Sequence, residues 1–446
     1  MANRDSFASS FGVLVAMAGS AVGLGNLWRF PYLVGTNGGA AFIIIYLAIV
    51  FVLAMPIMYS EFILGRRGQS NVYTAFKNMA PGTGWKVTGI IAILCCILIV
   101  SFYSVVGGWT IDYMVKGMMF KFTSDSSALG GMFEQTVTSS WQPLMYMVLF
   151  AGLSGAILLA GVKDGIEKYS KVLMPLLFLM VVVIAVRSVT LPGAGAGLDF
   201  LFKPDFSKVT ANTFLDALGQ AFFSLSVGFG IIFTYASYVS RGENVVKMSV
   251  QTAMADTLFA ILAGVAIMPA VFSFGISPSQ GPGLVFVTLP YVFAQIPFGG
   301  VLAILFFFVL FIAAITSSIS LLEVIVAYVI EEFKWKRSVA VVSVLALIIF
   351  LGAFCSLSQG VLADVKILGN NIFDSFDKFT ANILIPLGAL LIVLFAGWKM
   401  KKADFMDEIT SGGEHKINPL YLKIVIVSVR YVAPVVIAVI MIRSLI

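Results

Sequence analysis

Three glycines and two polar side chains interrupt an otherwise apolar segment at Gly19-Ser-Ala-Val-Gly-Leu-Gly-Asn26. A related interruption, Val227-Gly-Phe-Gly230, follows about two hundred residues later and echoes Val22-Gly-Leu-Gly25. Glycine weakens a helix, and each backbone N–H or C=O freed inside lipid is costly unless the protein itself satisfies it. Two broken helices at corresponding places in two halves of a membrane chain point to a transporter with its binding site at the breaks.

Composition agrees with that reading. The 446-residue chain is 60% hydrophobic and 11% charged, with too few polar residues to cover the surface of a soluble protein. Cys95, Cys96 and Cys355 sit in apolar runs, so no disulfide framework is implied. The lone His415 lies in a polar loop, and nothing resembles a zinc or haem site. The net charge of +6 comes from basic residues scattered over short loops, which argues against nucleic acid and for the lipid bilayer as surroundings. Residues 1–10 run straight into an apolar span without a separate h-region and cleavage site, so a removed signal peptide is not expected.

A spanning helix needs ~20 mostly apolar residues. Eleven segments qualify: 9–34, 40–65, 88–119, 142–161, 166–188, 213–240, 246–274, 299–331, 338–357, 376–398 and 420–443. Most lysines and arginines fall in alternate loops, including Arg66, Arg67, Lys77, Lys86, Lys163, Lys168, Lys171, Arg241, Lys247, Lys334, Lys336 and Arg337. The positive-inside rule then predicts a cytoplasmic N-terminus and an external C-terminus. Spans 1–5 and 6–10 have equal, odd helix counts, which places the halves in opposite orientations. The fold class expected is therefore an all-α polytopic membrane protein with 11 transmembrane helices and a 5+5 inverted repeat, broken in helices 1 and 6. The repeats cover residues 1–190 and 191–400, and 401–446 supplies a cytoplasmic loop and span 11. Residues 123–140 and 191–205 read as external loops. The uncharged 276–298, rich in Pro and Gly, reads as a segment folding back onto the external vestibule.

Unwinding at Gly19–Asn26 frees carbonyls at the end of one half-helix and amides at the start of the next. The amides favour an anionic group such as an amino-acid carboxylate, and the carbonyls suit a hard cation such as Na⁺. Asn26 adds a neutral oxygen. The same glycines also fit close helix packing through Gly19-x-x-x-Gly23. In span 6, Phe223 and Phe229 are candidate walls of an apolar pocket, or ordinary packing, and Ser224 and Ser226 bring hydroxyls to the turn. In span 8, Thr316 and Ser317 either complete an oxygen shell for a second Na⁺ or bond back to their own helix. Asp256, near the middle of span 7, demands a cation or a donor partner. Glu61 and Glu323 are open to either a structural or a functional role. Arg29 with Asp377, and Arg4 with Glu331, are candidate external and cytoplasmic gates. Gly165 and Pro175 flank a helix start and allow local unwinding there.

These residues resemble a known family. Gly19-Ser-Ala-Val-Gly-Leu-Gly-Asn-Leu-Trp-Arg-Phe-Pro31, Asn37-Gly-Gly39, Gln220-Ala-Phe-Phe-Ser-Leu-Ser-Val-Gly-Phe-Gly230 and Thr316-Ser-Ser318 are similar to motifs of the neurotransmitter:sodium symporters, in particular their bacterial, eleven-span amino-acid transporters. The resemblance implies alternating access driven by two co-transported Na⁺ ions, with no organic cofactor, in the bacterial cytoplasmic (inner) membrane. It implies a first sodium held by Ala21, Asn26, Ser224, Asp256 and the substrate carboxylate, and a second held by Gly19, Val22, Ala313, Thr316 and Ser317. Substrate contacts would come from Ser20, Ala21, Gly23, Gly25, Ile99, Tyr103, Phe223, Ser224, Ser226, Phe229, Ser317 and Leu321. Arg29 and Asp377 match the external gate, and Arg4, Tyr238 and Glu331 the internal one. The Gly165…Pro175 spacing is similar to a motif tied to cytoplasmic sodium release.

Two departures stand out. Chloride-dependent relatives carry Asn at the position of Asp256 and bind Cl⁻ near Tyr46, Gln220 and Ser224, whereas here a fixed carboxylate supplies the negative charge, so chloride-independent transport is expected. Phe7 stands where relatives usually have Trp. The pocket offers no acidic partner for a cationic side chain, which implies a neutral hydrophobic L-amino acid as substrate. A channel or a non-transporting sensor would share parts of this pattern. No nucleophile or acid/base constellation accompanies the pocket, so an enzyme is not expected.

Overall fold

The computed structural model describes residues 6–276 and 283–445, and no strand occurs among them. Among the described residues nine helices are long and apolar enough to cross a membrane: Ala40–Gly68 (span 2), Lys86–Met118 (span 3), Gln142–Leu159 (span 4), Val162–Val189 (span 5), Val245–Ser273 (span 7), Gly299–Phe333 (span 8), Arg337–Leu357 (span 9), Ile372–Lys399 (span 10) and Pro419–Ile442 (span 11). Span 1 is a bent pair, Ser10–Ala21 and Gly25–Thr36, at 47° to each other. Span 6 is likewise in two parts, Ala211–Ser224 and Ile231–Ala236. With these two the described residues supply the eleven spans that the hydropathy pattern predicts.

The break in span 6 is built by backbone that a helix cannot use. Ser226, Gly228 and Gly230 have φ of 55°, 96° and 82°, the left-handed region that glycine reaches without strain and serine does not. Span 10 lies directly against this turn, because Gly388 has no side chain to strike the Gly228 carbonyl. The freed amides do not go unpaired. The fully buried Glu61 of span 2 accepts from the Gly228 N–H at 2.5 Å and from the Phe233 N–H at 3.2 Å. The Cys96 thiol of span 3 donates to the Phe229 carbonyl at 3.2 Å. Of the two roles open to Glu61, the structure shows the hydrogen-bonding one.

Two stretches expected to be plain loops contain helices. Ser126–Thr138 starts where Asp125 accepts from the Ser127 and Ala128 amides at 2.8 and 3.3 Å, and Leu129 on its inner face is fully buried. Those bonds, the Ser127 hydroxyl first, hold the Asp125 carboxyl below its usual range. Ala194–Phe202 forms a second short helix, docked on span 7 where Gly197 meets the backbone of Met268 and Pro269. Serine, threonine and glycine content masked both, because the apolar residues that bury them are few. Of the stretch 276–298, residues 277–282 lie outside the described residues. In the rest, Phe286 packs on Trp109, Tyr113, Phe133 and Phe307 at centroid distances of 5.9, 5.0, 5.4 and 6.1 Å, while Phe298 is exposed.

Replacing Glu61 by Ala would leave two buried amides without an acceptor, each worth ~1–3 kcal/mol. E61A is therefore expected to lose about 3 kcal/mol of stability, read as a lowered thermal midpoint in detergent, whereas E61Q, which keeps one acceptor oxygen, loses less.

Candidate functional site

The breaks in spans 1 and 6 face each other across a small cavity. Its lining comprises Ser20, Ala21, Gly23, Gly25, Ile99, Tyr103, Phe223, Ser224, Ser226, Phe229, Ile231, Ser317 and Leu321. The structure thus brings all twelve expected contact residues into one place and adds Ile231, which the sequence reading passed over. Backbone and hydroxyl groups stitch the breaks together. The Ser20 carbonyl accepts from Ser226 Oγ at 2.8 Å and from Ser317 Oγ at 3.2 Å. The Leu24 amide donates to the Tyr103 hydroxyl oxygen at 3.3 Å, and Gln220 Nε2 donates to the Gly25 carbonyl at 3.1 Å. No side chain in the lining is ionisable in the ordinary range, so the walls offer an apolar chamber with a polar seam along the breaks.

Asp256 lies beside this seam, fully buried. Its carboxylate accepts from Asn26 Nδ2 at 2.7 Å, from Ser224 Oγ at 2.8 and 3.0 Å, and from the Tyr46 hydroxyl at 3.1 Å. The other end of the Asn26 amide, Oδ1, accepts from the Gly23 N–H at 3.0 Å. Neutral donors solvate the carboxylate but do not cancel its charge, and no lysine or arginine pairs with it among the described residues. A buried anion so placed attracts a small cation. Three of the four expected first-sodium residues, Asn26, Ser224 and Asp256, are directly bonded to one another here, and Ala21 lines the adjoining cavity.

The expected second-sodium residues are also close. A methyl group on Gly19 would stand 3.5 Å from Thr316 Cβ, and Val22 and Ala313 are fully buried. The Thr316 hydroxyl donates to the Ile312 and Ala313 carbonyls at 3.0 and 3.1 Å, which is the back-bonding arrangement kept open above. Ser317 is turned instead towards Ser20.

A profile described as the sodium:neurotransmitter symporter family matches residues 4–128 and 122–446 of the chain. The protein belongs to the sodium:neurotransmitter symporter family. It is 41% identical over 407 residues to YhdH of Bacillus subtilis, described as an uncharacterised sodium-dependent transporter, covering 91% of this chain and 90% of that one. A sodium-dependent transporter of Haemophilus influenzae is 37% identical over 454 residues, covering 99% and 98%. The crystal structure of MhsT in complex with L-phenylalanine is similar with a TM-score of 0.92 and 42% identity, over 99% of this chain and 100% of MhsT. The protein is accordingly a sodium-dependent membrane transporter and not an enzyme.

In the symporter, four of the five expected gate residues are described. Arg29 lies over the Phe223 ring at 5.5 Å and is the first charged neighbour of Asp377, but no ion pair joins the two among the described residues. Arg4 lies outside the described residues. Tyr238 donates to Glu323 at 2.8 Å, and Glu323 in turn receives Arg337 at 2.6 Å. Glu331 accepts from the Asn71 amide and side chain at 2.7 and 2.8 Å. Phe7, where relatives carry Trp, packs edge-on against Tyr235 and Tyr238 at 5.7 and 6.4 Å. Val162–Glu167, at the start of span 5, is a wide π-helical turn, so the helix is irregular where Gly165 predicted it to be. Sequence reasoning missed Glu167, Cys96 and Arg337. Glu167 alone carried a visible signal, as a carboxylate two residues beyond Gly165 at a span end.

Tyr103 accepts from the Leu24 amide, and its hydroxyl lines the cavity beside Ser317. Y103F is expected to weaken amino-acid binding about tenfold, the worth of one hydrogen bond to a charged group, with thermal stability changed little; scintillation proximity or calorimetry on purified protein reads it.

Proposed function

We propose that this symporter couples inward movement of Na⁺ to uptake of a neutral, hydrophobic L-amino acid by alternating access, without a requirement for chloride. The observation that carries the reading is the chamber between the two breaks. Ile99, Phe223, Phe229, Ile231 and Leu321 supply apolar walls, while Tyr103 and the span 1 amides supply donors for one carboxylate. The phenylalanine bound by MhsT, an apolar side chain on an α-amino acid, is a substrate of this kind. Residues 1–190 and 191–400 form the two inverted repeats, so that movement of one relative to the other exposes the chamber to each side in turn. The basic loops place the N-terminus in the cytoplasm and the C-terminus outside the bacterial inner membrane.

Sodium is cargo and trigger together. With Asp256 facing it, the Asn26 amide must present Nδ2, and its Oδ1 then occupies the Gly23 N–H. A sodium ion at this place reverses the requirement, because a cation needs Oδ1. Turning the amide releases the Gly23 N–H, and the ion itself offsets the charge of Asp256, so the substrate carboxylate gains a donor and loses a repulsion in one step. The second sodium would take carbonyls of Gly19, Val22 and Ala313 with the hydroxyls of Thr316 and Ser317, for which Thr316 leaves its back-bond. Chloride is dispensable on this account because Tyr46 and Ser224 already donate to the fixed Asp256 carboxylate.

Two measurements test the reading. A binding screen of the twenty amino acids on purified protein is expected to find leucine-like or phenylalanine-like ligands only when Na⁺ is present. D256N should lower apparent sodium affinity at least tenfold, and unchanged sodium dependence would remove Asp256 from the site. In proteoliposomes, uptake should survive replacement of Cl⁻ by gluconate; its collapse would contradict chloride independence.

A further inference from the structure

Spans 10 and 11 each contain a π turn where they meet, Phe395–Lys399 and Ser428–Val432, and the two turns are bonded to each other. Arg430 Nε donates to the Gly397 carbonyl at 2.7 Å, and Trp398 Nε1 donates to the Arg430 carbonyl at 2.8 Å. Gly397 permits the approach, since a methyl there would stand 3.1 Å from Arg430 Cγ and 3.2 Å from the Val429 carbonyl oxygen. Ser428 Oγ ties the same turn to the Val52 carbonyl of span 2 at 3.0 Å. An arginine within a span is thus fixed through one nitrogen. Its two terminal nitrogens have no protein partner among the described residues.

The guanidinium lines a pocket together with Lys402, Phe405, Ile426 and Val429. Lys402 is exposed and opens the short helix Lys402–Ile409. Lys399 and Lys401 stand beside it, both exposed. The carboxylates of that helix are committed elsewhere: Glu408 pairs with Arg66 at 2.9 Å and Asp404 with Arg67 at 2.8 Å. Among the described residues no carboxylate pairs with Lys399, Lys401, Lys402 or Arg430. A cation within a span is costly without a partner, and here the protein supplies none.

Depth and surroundings identify the missing partner. Gly397 lies about 13 Å along span 10 from Gly388, which packs on the Gly228 break, so it falls near the edge of a hydrocarbon layer ~30 Å thick. Trp398 is 61% exposed and meets Tyr431 edge-on at 5.5 Å, an amphipathic pair suited to the headgroup level. From there Tyr431, Val435, Val439 and Ile442 form an exposed apolar stripe at helical spacing, along which an acyl chain can lie. We propose that the junction of spans 10 and 11 binds the headgroup phosphate of an anionic phospholipid. The free edge of the Arg430 guanidinium matches two phosphate oxygens, and Lys402 completes the contact. A zwitterionic lipid offers the same phosphate but brings its own cation against the lysines, so net negative charge is selected. The site lies outside the transport chamber, and on the topology proposed above it faces the cytoplasmic leaflet.

The test uses full-length protein in vesicles of phosphatidylcholine and phosphatidylglycerol, with bromine on the acyl chains of one lipid or the other. Bromine quenches nearby indole fluorescence, and subtracting the signal of W398F isolates Trp398 from the other tryptophans. The preference for phosphatidylglycerol, read from the two quenching curves, should be about tenfold in the parental protein. It should fall to about twofold in K402Q and to near unity in R430Q, and stay at about tenfold in K163Q, which removes an exposed lysine at the start of span 5. Lys402 is exposed, so K402Q carries the test even where R430Q fails to fold. Equal quenching by the two lipids in the parental protein, or a preference that K402Q leaves intact, would overturn the site. So would an equal fall in K163Q, which marks a diffuse surface potential. Displacement of brominated phosphatidylglycerol by inorganic phosphate would also overturn it, by marking a site for the free anion. No amino acid enters the assay, so its outcome and that of the transport reading are separate.

Discussion

A backbone N–H or C=O freed inside the bilayer has no water to bond, and the architecture of this symporter follows from meeting that demand at two places. Span 6 surrenders its helical bonds at Leu225–Gly230, and spans 2 and 3 answer with Glu61 and Cys96. Span 1 surrenders its own at Val22–Leu24, and Ser226, Ser317, Asn26 and Tyr103 answer from within the site. The two solutions differ in kind. The groups bonding span 6 are buried behind the chamber and serve to fix its shape. Those bonding span 1 belong to the chamber itself and can exchange partners when ligands arrive.

That difference makes the site responsive. A carboxylate buried among neutral donors, as Asp256 is, has no opposite charge beside it among the described residues. On the proposed reading, entry of Na⁺ would change more than one bond, because Asn26 links the carboxylate to the Gly23 amide. Linked bonds appear at the foot of span 1 as well, where Glu167, at the end of a π turn in span 5, accepts from Ala8 and Ser9. Both devices join one broken helix to a rigid neighbour through a short side-chain bridge.

Much of this was legible in the sequence, for physical reasons. The eleven spans follow from runs of apolar residues that only a bilayer tolerates, and the breaks from glycines that only a turn requires. Asp256 is visible because an ionisable group in mid-span must have a purpose. The partners of the inner-face residues were not legible. Resemblance placed Tyr238 with Arg4 and Glu331 at the inner gate, and gave no sign of its bond to Glu323, which lies about 12 Å nearer the membrane centre than Glu331 along the same helix. Composition cannot say at which depth a tyrosine meets a glutamate. Glu167 stood out only as a carboxylate near Gly165 at a span end; its bonding was hidden, because its partner is the backbone of Ala8, 159 residues away, and Lys171 makes it look like an ordinary helix ion pair. The short helices at 126–138 and 194–202 were hidden by their serine, threonine and glycine content.

The central claim is that a zwitterion and sodium are held between the two helix breaks, and placing a heavy atom there tests it directly. Crystals grown in Na⁺ with 4-bromo-L-phenylalanine should show anomalous bromine signal among Phe223, Phe229 and Ile231, with the amino-acid carboxylate at the Tyr103 hydroxyl and the Gly23 amide. Bromine bound away from this chamber, or spans 1 and 6 found as continuous helices, would contradict the account.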